Sequence, residues 1–292
     1  ISLASFVEVE GVETRLIPDA GAALSALKAA MPCDLLVCDR PDLSVSDSEA
    51  YYAAGAGRIV LLASSRIGYF PCDLAIIDDP LLADSEPSLA RRIEVGAHLH
   101  MVRQDVLALR PAAPVRLEPG KPVKLLIALS GTDPGALTEP LVAALSRQAA
   151  DTGLPLQLRV LIGAGWPAGR RTDFREKAPQ GIEIIEAPRA LGEAIRASDA
   201  IVTLGGRTTY EAFALGRPAF CIPWDSTARY VFALDQQKLV LALDSDPQIA
   251  ARAILAALDS PADIEARADR AFALADAGAA DRVAALCLEG LI

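Results

Sequence analysis

The chain lacks several things that would assign it a class at once. No uninterrupted apolar run reaches eighteen residues, so no membrane span is expected. Basic residues are in deficit: 28 Lys and Arg stand against 38 Asp and Glu, a formal net charge of -10. Nucleic-acid binders gain affinity by releasing counterions from a basic face, so a nucleic-acid partner is excluded, although a local pocket for one phosphorylated small molecule is not. The five cysteines (Cys33, Cys38, Cys72, Cys221, Cys287) are odd in number, scattered through apolar runs and form no C-x-x-C pair. They read as buried thiols in a reducing cytoplasm, not as a disulfide frame or zinc site. The dinucleotide G-x-G-x-x-G and the Walker spacing are both missing. No Asp-x-Asp or similar carboxylate cluster lies near the polar loops that follow "VKLLIAL" and "AIVTL", so no metal cofactor is expected. The first residues, "ISLASF", show no charged leader followed by an apolar segment, and a cytoplasmic location is the expectation.

What is present is globular: 292 residues, 52% hydrophobic and 23% charged, enough for two domains with separate cores. Short Val/Ile/Leu runs alternate with Ala/Leu/Arg/Glu helical patterns, the mark of βα units on parallel sheet. Strand candidates in the first half are "SLASFVEV", "ETRLI", "DLLVCD", "RIVLLA" and "LAIID". The stretch "RPAAPVRLEPGKP" carries four prolines between Arg110 and Pro122 and reads as a linker. The expected layout is a first domain over 1–110, a linker over 111–122 and a second domain over 123–292. In the second domain strands are expected in "VKLLIALS", "LQLRVLIGAG", "IEIIEAP", "AIVTLG" and "PAFCIPW", followed by a helical tail. Tandem α/β domains of this kind bind ligands in the cleft between them, beyond the carboxyl ends of the strands.

Two loops stand out there. "GGRTTYEAFALG" follows an apolar strand with two glycines that permit a tight turn, then starts a helix whose free N–H groups suit a phosphate. A structural reading competes: Thr208 to Glu211 fits a capping box. "SGTDPGALTEP", from Ser130, also follows a strand; it can wrap a diphosphate, or Asp133-Pro134 and Thr138 can simply start a helix.

The ordered set "SGTDP", "ALGEAIRASDAIVTLGGRTTYEAFALGRPAFCIP", "LDQQK" and "DAGAADRV", with "VGAHLHMVRQDVLALRP" before the linker, resembles the GT-B nucleotide-sugar enzymes. The nearest likeness is to the UDP-sugar hydrolase of pseudaminic acid biosynthesis and its spore-coat polysaccharide relatives, with MurG-type glycosyltransferases more distant. The resemblance implies two Rossmann-like domains facing across a cleft, the first lacking its opening strand. It implies that Ser130, Gly131, Thr132 and Asp133, together with Gly205, Gly206, Arg207, Thr208 and Thr209, hold a diphosphate. It also implies that Glu211 accepts from the ribose, that backbone near Leu191 reads uracil, and that Gln237 faces the sugar or phosphate. The partner would be a UDP-sugar, with oligomeric state left open. The implied activity is hydrolytic release of UDP in surface glycan (nonulosonic acid-like) synthesis, the alternatives being a glycosyltransferase or a non-catalytic nucleotide-sugar-binding protein. The family's histidine-bearing glycine-rich loop has no counterpart in the chain. Asp39, ending "DLLVCD", is the surviving carboxylate at a strand end, while His98 and His100 fall outside that motif and read as surface or packing residues more readily than as a replacement base. Nucleotide binding without efficient turnover is therefore expected.

Overall fold

A computed structural model describes residues 25–27, 29–39, 43–63, 71–78, 89–118, 120–186 and 191–291. The strand candidates "SLASFVEV" and "ETRLI", and with them the expected lack of an opening strand, lie outside the described residues. The chain divides into a first unit, Ile1–Ile76, Glu86–Glu94 and Leu286–Ile292, and a second, Ile77–Ser85 and Val95–Ala285. Among the described residues no helix is long and apolar enough to cross a membrane.

The first unit is built on strands β1 (Leu36–Asp39), β2 (Ile59–Ala63), β3 (Leu74–Ile77) and β4 (Arg92–Val95), in the order β1-β2-β3-β4. β1 and β2 are parallel, Leu36 opposite Ile59. Helix α1 (Val45–Ala54) starts where Ser44 and Asp47 exchange a capping box and stops at Gly55, φ 109°. Ile59, Val60, Leu61, Leu74 and Ala75 are fully buried. β4, "RIEV", is not legible as a strand in the sequence because two of its four residues are charged. Arg58 donates to the carbonyls of Leu286 and Glu289, fixing the chain's last residues to this unit.

The second unit opens with a 3-10 turn (Ala97–Leu99) and a short helix α2 (Gln104–Leu107). Its strands are β5 (Val123–Ile127), β6 (Leu156–Ile162), β7 (Glu183–Glu186), β8 (Ala200–Thr203), β9 (Ala219–Cys221) and β10 (Leu241–Ala242). The helices are α3 (Thr138–Thr152), α4 (Ala168–Lys177), α5 (Leu191–Arg196), α6 (Arg207–Ala214), α7 (Ala228–Gln236), α8 (Pro247–Asp259), α9 (Ala262–Leu274) and α10 (Ala279–Leu288). All strand pairs are parallel, in the order β10-β9-β8-β5-β6-β7. Alternation along β5 sends Val123, Leu125 and Ile127 into one core with α3 and α8, and Leu126 into the other with α6 and α7. Burial on both faces explains why these strands read as continuous apolar runs. The two-residue β10 lies within the tail expected to be helical. Val95–Ala285 count with this unit, including the proline-rich stretch: Val115 donates to the Gly216 carbonyl at 3.0 Å. Arg110 donates to the carbonyls of Ala214, Phe272 and Ala275, closing the carboxyl ends of α6 and α9.

Candidate functional site

In the second unit, β5 connects onward to β6 on one side and its other neighbour, β8, connects to β9 on the opposite side. The sheet order therefore reverses between β5 and β8. A doubly wound sheet opens a crevice at that point, outside the carboxyl ends of its strands. The two loops singled out from the sequence are the ones that leave β5 and β8 there.

The β5 loop is held in an unusual backbone shape. Ser130, Asp133 and Ala136 have φ of 70°, 45° and 48°, left-handed values that cost non-glycine residues about 1 kcal/mol or more each. Surrounding contacts impose the shape. Asp133 is 2% exposed, and its carboxylate accepts the N–H of Leu137 and of Thr138, both at 3.1 Å, at the start of α3. Arg170 pairs with the same carboxylate and with Glu139, and its guanidinium lies 3.7 Å from the centre of the Trp166 ring. On the other flank, Gly165 N–H donates to the Gly131 carbonyl at 3.0 Å. A Cβ on Gly163 would stand 2.1 Å from that carbonyl oxygen, so only glycine fits. Ser130, Gly131 and Thr132 are left exposed at the crest. Asp133, an acceptor pointing inward, offers the crevice only its backbone.

The β8 loop turns at Gly205, φ 84°, whose Cβ would meet Val231 at 2.4 Å. Helix α6 begins two residues earlier than the expected capping box allows. Its cap is Gly206, with no side-chain cap hydrogen bond, and the Thr208–Glu211 box is not formed. The first-turn N–H groups of Arg207 and Thr208 consequently have no intrahelical acceptor. Arg207 is exposed and Thr208 half-buried. Thr209 turns into the core, its hydroxyl 2.7 Å from that of Thr203, so it presents no hydroxyl to the crevice.

Glu211 is 7% exposed, and among the described residues its Oε2 has no hydrogen-bond partner. Burial pushes its carboxyl above the usual carboxylate range; Asp105 adds to the rise, while Arg103, His100 and Arg207 oppose it. Leu191 is half-buried at the first turn of α5, with 187–190 before it outside the described residues. Gln237 lies elsewhere. "DQQ" ends α7, and α7 is the crossover from β9 to its parallel neighbour β10. That return leaves Gln237 toward the amino ends of the strands, away from the two loops. Past the carboxyl end of β9 comes Trp224, against whose ring a Cβ on Gly135 would stand 2.5 Å. Asp39 is exposed at the end of β1 in the first unit.

A cluster beside α6 carries no motif that the sequence would reveal. His100 is buried; its Nδ1 is 2.6 Å from Asp78 Oδ2, and its ring stacks on Tyr210, centroids 3.8 Å apart and planes at 16°. Tyr230 donates to the Tyr210 hydroxyl at 2.7 Å. His98 is exposed, as expected.

No protein-family model matches the sequence. No curated protein matches it either. Solved structures do match in fold. A Staphylococcus aureus MnaA–UDP co-structure superposes with a TM-score of 0.64 at 14% identity, over 93% of this chain and 80% of that one. A UDP-N-acetylglucosamine 2-epimerase gives 0.57 at 14% identity, over 92% and 76%. The spinosyn forosaminyltransferase SpnP gives 0.58 at 15%, over 92% and 79%. The chain is similar to these enzymes in fold: two α/β units with parallel sheets, GT-B-like.

Proposed function

We propose that the chain binds a UDP-linked sugar at the β5/β8 crevice and releases UDP from it by hydrolysis, in the synthesis of a surface glycan of the nonulosonic acid kind. The observation that carries this reading is the pairing of two donor loops at one topological switch point with a buried carboxylate, unpartnered among the described residues, at the fifth residue of α6. The exposed crest Ser130–Thr132 and the N–H groups of Arg207 and Thr208 supply donors for two phosphates. Glu211 Oε2 accepts from a ribose hydroxyl, which gives the orphaned oxygen the donor it lacks. Helix N-termini carry positive potential, so the departing diphosphate is stabilised without a metal ion. The fold likeness to a UDP co-structure supports the nucleotide class.

A second reading, transfer of the sugar to an acceptor hydroxyl, is favoured by the similarity of SpnP. Incubation with a panel of UDP-sugars, followed by phosphorus NMR, separates the two. UDP appearing in buffer alone supports hydrolysis, UDP appearing only with an added acceptor supports transfer, and no UDP from any sugar defeats both.

A further inference from the structure

We infer that His100, held by Asp78, is the general base that this chain directs at a UDP-sugar in the β5/β8 crevice. The inference rests on the reading of that crevice as the UDP-sugar site. An ionised carboxylate only accepts, so the 2.6 Å contact puts the imidazole proton on Nδ1 and leaves the lone pair on Nε2, which makes no hydrogen bond among the described residues. The ring cannot swing away. It lies flat on Tyr210, which is fully buried, tilted against Phe213 at 5.2 Å and bonded through its hydroxyl to Tyr230. Tyr210 precedes Glu211 in the first turns of α6, so the base is fixed to the helix whose amino end is proposed to hold the diphosphate.

A histidine serving only to pack would be expected among satisfied polar groups. Here the reverse holds: among the described residues Asp78 Oδ1 and Glu211 Oε2 are both buried without hydrogen-bond partners, and Asp78 is bonded to His100 through its other oxygen. An unsatisfied oxygen on the imidazole's own carboxylate partner is costly and is answered by a donor on a ligand or water.

In the step proposed, Nε2 takes a proton from water while the water oxygen forms a bond to the anomeric carbon. The bond from that carbon to the β-phosphate oxygen breaks, and its electron pair leaves on UDP. The imidazolium then yields its proton to solvent, so UDP-sugar and water become free sugar, UDP and a proton. Asp78 is a positioning residue: it fixes the tautomer.

The test uses the full chain and its His100→Gln, His100→Phe and Asp78→Asn variants, with folding checked by melting. His100→Phe keeps a ring on Tyr210 but has no base. We expect UDP affinity unchanged in all three, and UDP release from the accepted UDP-sugar reduced by about 10²–10⁴ in the His100 variants. Asp78→Asn lowers kcat with UDP affinity intact. Failure of the wild-type chain to bind UDP overturns the reading of the crevice. Wild-type binding with turnover that survives in His100→Gln and His100→Phe overturns the assignment of the base alone, as does wild-type binding with no turnover of any UDP-sugar.

Discussion

The buried carboxylate of Asp133 and the guanidinium of Arg170 form one ion pair that holds the β5 loop, and the same carboxylate caps α3. Asp133 thus shapes the loop from below while the exposed crest is left to a ligand. Arg170→Ala removes the partner of a carboxylate whose side chain is 1% exposed. Loss of a charge-assisted bond of this kind costs about 1.5–3 kcal/mol, to be read from urea unfolding, and UDP binding should weaken with it as the loop relaxes. Unchanged affinity in a folded Arg170→Ala protein would show that the loop's shape does not matter to the ligand.

Glu211→Gln should raise stability and lower affinity together. Burial raises the folded-state pKa above the unfolded value of about 4.3, so the folded state favours the protonated carboxyl. The stability tied to that neutral form is fully present in acid and lost as pH rises through the folded pKa. The Gln variant carries no charge at any pH, so it should melt higher than wild type near neutrality, with the gap closing in acid. Its UDP affinity should fall by about 1.5–3 kcal/mol for the lost charge-assisted bond to ribose. A variant that melts lower at neutral pH would contradict the burial argument, and one that binds UDP as tightly would contradict the ribose contact.

Two glycines, Gly163 and Gly169, should respond in opposite directions. Gly163→Ala drives a methyl into the Gly131 carbonyl and must push the β5 and β6 loops apart, lowering both melting temperature and UDP affinity. Gly169 lies within α4, and none of the described residues comes within 4 Å of the position of a Cβ. Gly169→Ala should stabilise by about 0.5–1 kcal/mol through helix propensity and leave UDP binding alone.

Chelation offers a separate check on how the diphosphate is held. With backbone N–H groups supplying the positive potential, UDP affinity in EDTA should equal that in Mg²⁺. Strict dependence on Mg²⁺ would require carboxylate ligands that this account does not assign.

Much of the second unit is legible in the sequence because its strands are buried on both faces. "VKLLI", "LQLRVLI" and "AIVT" can be little else, and the polar loops after them mark the carboxyl edge. The order of the strands, which makes the β5 and β8 loops neighbours, is legible only through resemblance. Local pattern misleads where tertiary contacts decide. Thr208 and Glu211 have capping-box spacing, yet the helix is capped at Gly206 and Glu211 is buried. "DQQ" reads equally as a helix start or end, and the parallel β9-to-β10 crossover makes it an end. The Asp78–His100 pair joins residues 22 positions apart in a stretch with no motif, so nothing in the sequence distinguishes His100 from His98.

Calorimetric titration of the intact chain with UDP, UMP and ADP tests the central claim most directly. Two donor loops for two phosphates, with uracil read beside Leu191, predict that UDP binds more tightly than either UMP or ADP. Folded protein that takes up no UDP, or binds UMP as tightly as UDP, would contradict it.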